Sequence, residues 1–234
     1  MGSETKSFKK EDIAFALKSY LNRLKEMGFF CLNKAGERSL SKTEKLEILK
    51  EKVSKCTRCV LSRTRLNAVF GEGNYEAELV FVGEAPGEHE DEQGRPFVGT
   101  AGNLLTKIIE VMGFKRNEVF ICNVIKCRPP ENRDPHLDEI ASCEPYLIKQ
   151  LEIIKPKCIV ALGNHAAKTL LKTTTPISAL RGQWLLYHGI KLMPTFHPAS
   201  LLYNVNLKRF VWEDMKKVMA LFSKTLPPKP SQKK

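Results

Sequence analysis

Four short apolar runs constrain what this chain can fold into: Leu79–Gly83 (LVFVG), Val119–Ile125 (VFICNVI), Cys158–Gly163 (CIVALG) and Lys191–Phe196 (KLMPTF). Each has the length of a strand and lacks the polar–apolar alternation of a half-exposed one, so both of its faces must be covered. Between and after them lie segments of helical period, near Thr100–Met112, Pro135–Ile154, Asn164–Leu171 and from about Leu207 to Ser223. Strands alternating with helices predict a parallel sheet covered on both faces. Gly182–Gly189 (GQWLLYHG) predicts a short strand and turn leading into the fourth run.

The flanks read differently. Residues 12–27 place Ile13, Leu17, Tyr20, Leu21, Leu24 and Met27 on one helical face, with Gly28 as a stop. Ser41 with Glu44 forms a capping-box pattern that opens a second helix running to about Lys55. We therefore expect a helical N-terminal extension over 1–55, a main domain over 56–223 and a disordered basic tail over 224–234, where Pro227, Pro228 and Pro230 alternate with lysines. No apolar run reaches membrane-spanning length and the first residues hold no signal-peptide core, so a cytoplasmic, nucleoid-associated protein with no membrane partner is expected.

The formal charge is +12, and its excess sits at the ends. Residues 1–55 carry 13 Lys/Arg against 8 Asp/Glu and residues 204–234 carry 8 against 2, leaving a nearly neutral middle. Clustered cations of this kind suit a polyanion, although solvated termini produce the same pattern.

In parallel sheets, ligands gather at the carboxyl ends of the strands. Each of the four runs ends in conspicuous chemistry: Gly83-Glu84, Asn123, Gly163-Asn164 and His197. The loop after the first is acidic, with Glu84, Glu88, Glu90, Asp91 and Glu92 within nine residues, and is stiffened by Gly83, Pro86 and Gly87. The seven cysteines are an odd number, which argues against a disulfide framework. Cys122 and Cys158 fall inside apolar runs and Cys31 follows Phe29-Phe30, so all three read as packing residues. Cys56-x2-Cys59 and Cys127-x15-Cys143 remain, a set able to hold zinc or an iron–sulfur cluster, and the spacing leans to zinc. Pro145 is expected to end or restart a helix and so free the Cys143 thiolate to turn inward.

Five ordered stretches then carry a family likeness: GEAPGEHEDEQGRPFVGTAGNLL, CNVIKCRPPENRDP, the cysteine pattern, IVALGNHAAKTLL and PTFHPASLL. Over roughly residues 55–222 the chain resembles the family 4 uracil-DNA glycosylases, the thermostable iron–sulfur class of bacteria and archaea. The resemblance implies a three-layer α/β/α sandwich with a four-stranded, mainly parallel sheet. It also implies a [4Fe–4S] cluster on Cys56, Cys59, Cys127 and Cys143, against the lean to zinc, and uracil-containing DNA as partner.

The same resemblance assigns roles. Glu84 is the first choice for the carboxylate that positions water and favours a cationic sugar, and Asp91 the second. Glu90 would crowd the uracil C5 edge and exclude a thymine methyl, while Glu88 and Glu92 are read as surface acids. Phe97 would stack on the base and Asn123 would pair with N3–H and O4, a pattern that cytosine reverses. His197 would donate to uracil O2 as a neutral imidazole. Leu201 or Leu202 would fill the gap left by the flipped nucleotide, and Lys208, Arg209, Lys216 and Lys217 would contact phosphates. No basic insertion separates Asn123 from Cys158, so turnover is expected rather than covalent capture of DNA. A monomer is expected, with residues 1–50 free to meet a clamp or repair partner. Two other readings stay open: a glycosylase of broader range for deaminated bases, and a non-enzymatic iron–sulfur DNA-binding module.

Overall fold

A computed structural model describes residues 40–224. The expected helix over 12–27, the Phe29-Phe30 pair, Cys31 and the basic tail beyond Lys224 lie outside the described residues.

The chain enters through α1 (Lys42–Ser54), whose start is closed as the sequence predicts: Glu44 N donates to Ser41 Oγ at 3.2 Å and Ser41 N to Glu44 Oε2 at 2.7 Å. Then follow β1 (Glu72–Gly73), β2 (Leu79–Gly83), α2 (Glu88–Gln93), α3 (Thr100–Val111), β3 (Phe120–Asn123) and α4 (Leu137–Ile154). The second half comprises β4 (Cys158–Leu162), α5 (Asn164–Leu171), α6 (Ile177–Leu180), β5 (Leu185–Tyr187), β6 (Ile190–Thr195), α7 (Pro198–Tyr203) and α8 (Leu207–Leu221).

The sheet runs β1-β3-β2-β4-β6-β5. Its four inner strands are parallel and correspond to the four apolar runs; the short edge strands β1 and β5 pair antiparallel and bring the sheet to six strands. The four-stranded expectation thus covered the parallel core, while the two-residue β1 is too short to leave a periodic signal.

Every residue of β2, β3 and β4 is buried, because the sheet is covered on both faces. Val80, Val82, Phe120, Ile159 and Leu192 face one layer, which contains α1 and α4, while Leu79, Phe81, Ile121, Val160 and Met193 face the layer of α3 and α8. Leu46, Leu49 and Val53 of α1 are buried in the first of these cores, so this helix packs into the body of the domain rather than into a separate extension.

From β2 the chain moves to β3 on one side, then returns to β4 on the other. This reversal opens a crevice beyond the carboxyl end of β2.

Candidate active site

In the parallel register Gly83 stands opposite Asn123, which brings the ends of β2 and β3 to one level. A cavity of about 390 Å³ opens there, lined among others by Glu84, Glu90, Phe97, Asn123, Asp134 and His197. Five of these six are residues singled out in the sequence. Asp134 is an addition, contributed by the loop after β3.

Two glycines make the crevice possible. A Cβ on Gly83 would collide with the Asn123 side-chain oxygen and the Phe97 ring, so its hydrogen is what lets the two approach. Gly163 has a left-handed backbone (φ +91°), and a Cβ there would lie 2.9 Å from that of His197. Phe97 itself sits at φ +52°, a strained conformation for an aromatic residue, and its backbone rests on Gly102 at the start of α3.

Glu90 holds that strained turn. Its carboxylate accepts from Val98 N at 2.8 Å, Gly99 N at 3.0 Å and Gly87 N at 3.2 Å, binding both ends of the acidic loop around Phe97. Asp91 does not belong to the cavity. It is 3% exposed and accepts from Leu66 N and Asn67 N, so its carboxylate anchors the segment after the CxxC turn. This corrects its place as the second catalytic acid. Glu88 and Glu92 are at the surface, paired with Arg128 and close to His89 respectively.

Glu84 also lines the cavity, and no backbone N–H engages its carboxylate among the described residues. Burial pushes its pKa above the ordinary value, His165 opposes that shift and Asp134 adds to it. His165 lies between the two acids, with Nδ1 3.9 Å from Glu84 Oε1 and Nε2 3.4 Å from Asp134 Oδ2. Asn164, expected to face the site, instead accepts from Ile177 N at 3.2 Å and fixes the start of α6.

His197 is held neutral: burial pushes its pKa down to about 4, only partly opposed by Glu90. Ala199 N donates to Nδ1 at 3.2 Å, which makes that nitrogen the acceptor and leaves the proton on Nε2. Its ring lies 5.7 Å from Phe97, tilted by 34°. The Asn123 side-chain oxygen is buried without a hydrogen-bond partner among the described residues. An orphaned buried acceptor is costly unless a ligand satisfies it. The cavity therefore presents a flat apolar wall, an unsatisfied amide, a neutral N–H donor and the carboxylates of Glu84, Glu90 and Asp134, of which Glu90 is engaged by backbone N–H groups. This set suits a planar heterocycle with donors and acceptors on its edge.

Around the mouth, Leu202 and Tyr203 are exposed at 44% and 91%, whereas Leu201 is 2% exposed and packs in the core. Of the two leucines named for the wedge, only Leu202 is exposed, and Tyr203 beside it is a further exposed side chain that the sequence did not single out. Lys208, Arg209 and Lys216 are exposed on α8; Lys217, also exposed, donates to Gly182 O at 2.6 Å and so braces the β5 turn.

Cys56, Cys59, Cys127 and Cys143 line one pocket about Arg58, Arg65, Lys126 and Tyr146. Cys143 comes from inside α4, which continues through Pro145, so the expected break there is absent and the turn of the helix alone aims the sulfur. Arg65 Nη1 donates to Cys127 Sγ at 2.9 Å and Lys126 N to Cys143 Sγ at 3.2 Å. Burial raises the pKa of the Cys127 and Cys143 thiols, the latter to about 11. Yet Lys126 is 1% exposed and has no carboxylate partner among the described residues. Burial lowers the Lys126 pKa, and the neighbouring Cys122, Cys143 and Cys127 oppose that shift. The residues fit a four-thiolate metal centre. Cys122 and Cys158 pack in the strands, as expected.

The sequence model of the uracil DNA glycosylase superfamily matches residues 70–216. The type-4 uracil-DNA glycosylase of Sulfurisphaera tokodaii is 50% identical over 187 residues, which cover 76% of this chain and 85% of that protein. Those of Saccharolobus solfataricus and Thermotoga maritima are each 47% identical, over 78% and 79% of this chain and 89% and 98% of their own lengths.

Proposed function

Because this chain belongs to the uracil DNA glycosylase superfamily, we propose that its cavity receives one uracil swung out of DNA. The protein is a uracil-DNA glycosylase, a hydrolase of DNA repair that cuts the N-glycosidic bond and leaves an abasic site. One observation carries the assignment of roles: the buried, unpartnered oxygen of Asn123 shares a cavity with Phe97 and a neutral His197.

Phe97 stacks on the base. Asn123 accepts from N3–H and donates to O4; cytosine offers the reverse pattern and leaves both groups unsatisfied. As the bond breaks, charge gathers on uracil O2, toward which His197 directs its Nε2–H, and the sugar becomes cationic beside Glu84. Glu84 also orients the attacking water and takes its proton. Glu90 keeps the Phe97 turn rigid and narrows the C5 side of the pocket.

Leu202 and Tyr203 occupy the space vacated in the duplex, and Lys208, Arg209 and Lys216 contact phosphates. Cys56, Cys59, Cys127 and Cys143 hold a [4Fe–4S] cluster. When bound, it supplies a structural clamp joining the CxxC turn, the loop after β3 and α4.

The test is direct: incubate the protein with labelled single- and double-stranded oligonucleotides carrying one U, C or T, then cleave abasic sites with alkali. Strand cleavage only at U is expected. Equal cleavage at C would overturn the role given to Asn123, and none at all would overturn the activity.

A further inference from the structure

Lys126 connects two sites that are otherwise separate. It follows β3 by three residues and lies wholly inside the protein, where its Nζ donates to Asn123 O at 2.7 Å and to Gln150 Oε1 at 2.6 Å. Its own backbone N donates to Cys143 Sγ and its carbonyl accepts from Val69 N at 2.7 Å. Gln150 in turn donates to Phe70 O at 2.8 Å. One residue thus grips the sulfur site through its main chain and the backbone of the base-reading Asn123 through its side chain.

The arrangement has a cost that core packing does not explain. Leu or Met would fill the same space without desolvating an amine, whereas Lys126 reaches two buried acceptors. Asn123 must hold its amide oxygen unpaired, against Gly83, in wait for a ligand. A carbonyl tethered to a stiff hydrogen-bonded chain resists the rotation that would let the amide find a partner of its own.

We infer that Lys126 is a positioning residue for base recognition, tying the backbone of Asn123 to the four-cysteine site so that a loaded sulfur site holds the amide in its base-reading orientation. This rests on the reading of Asn123 as the base-contacting amide.

The test uses the metal-loaded full chain and free uracil as the probe. Lys126→Met keeps the volume and removes the donor. Its dissociation constant for uracil, measured by titration calorimetry, should rise about tenfold, the effect of leaving one buried acceptor unpaired. Affinity for an oligonucleotide with an abasic-site analogue should stay within about twofold, because that ligand leaves the base pocket empty. Arg65→Met separates coupling from general loosening: Arg65 contacts Cys127 but not Asn123, so it should speed metal loss to a chelator and leave uracil binding intact.

Equal uracil affinity in Lys126→Met and wild type would overturn the inference, as would a matching loss in Arg65→Met at full metal content. If Lys126→Met does not fold, Lys126→Gln, which stays polar but ends one bond nearer the backbone, carries the test: a weaker uracil complex supports the tether and an unchanged one removes it. A wild type that does not bind uracil at all would instead sink the base-pocket reading, and this inference with it.

Discussion

Gly83 and Asn123 face each other across the parallel register of β2 and β3, and the space where Gly83 would carry a side chain is taken by the Asn123 amide oxygen and the Phe97 ring. The Asn123 amide and the Phe97 ring are therefore set by one missing methyl group.

Gly83→Ala should test this contact. Overpacking typically costs about 1–3 kcal/mol, and a shift of about 1 Å in reacting groups costs about 100-fold in rate. We expect a folded protein whose single-turnover excision of uracil falls by at least that factor. Wild-type kinetics in the variant would mean that Phe97 and Asn123 can part without consequence.

The pH dependence of excision should follow Glu84. Burial holds its pKa above the ordinary carboxylate value, so activity requiring the ionised form is lost as pH falls through that raised value. Asp134 raises it and His165 lowers it, so Asp134→Asn should move the acid limb to lower pH and His165→Asn to higher pH. Identical acid limbs in all three proteins would show that Glu84 does not govern the profile.

His197 makes a separate, stability-linked prediction. Its folded pKa of about 4 lies below the unfolded value of 6.5, so the unfolded chain binds the proton first. Stability should therefore decline as pH falls from about 6.5 to about 4 and gain no further loss from this group below that. His197→Gln should show a shallower decline in denaturant melts over this window; parallel curves would remove His197 from the acid response.

Adjacent residues of α7 should part company. Leu201→Ala should destabilise the fold by about 2–5 kcal/mol, the usual range for a buried leucine. Leu202→Ala and Tyr203→Ala, both exposed, should leave the melting temperature unchanged and weaken binding to uracil-containing duplex. Duplex affinity undiminished in the double variant would place the wedge elsewhere.

Asp91→Asn separates the acids of the loop. Its carboxylate accepts from Leu66 N and Asn67 N and does not line the cavity, so thermal stability should drop while excision at saturating enzyme persists. A dead but fully stable variant would return Asp91 to the chemistry.

Much of this arrangement was legible beforehand. LVFVG and CIVALG read as doubly covered strands, since an unbroken apolar run of that length has no face to offer water. Their bounds, and those of the helix over Asn164–Leu171, match the structure closely. Once the strands are parallel, Glu84, Asn123 and His197 must emerge on the same edge of the sheet, because parallel strands end together.

Facing is another matter. Glu90 and Asp91 are neighbours in the chain, yet a helix turns about 100° per residue, and in α2 that rotation sends one carboxylate to the cavity and the other to the segment after the CxxC turn. Leu201 and Leu202 are divided in the same way on α7, one into the core and one to solvent. Cys143 reaches the sulfur site from a helix that Pro145 does not break, because the packing of α4 against α1 and the sheet outweighs the one hydrogen bond lost. Lys126 became a buried link only when β3 and α4 closed around it. The order of apolar runs determined the sheet, its coverage and the edge at which the chemistry collects, since these depend on local period and chain direction. Tertiary packing alone decided which of two adjacent residues faces inward, because that depends on the rotation of each element against its neighbours.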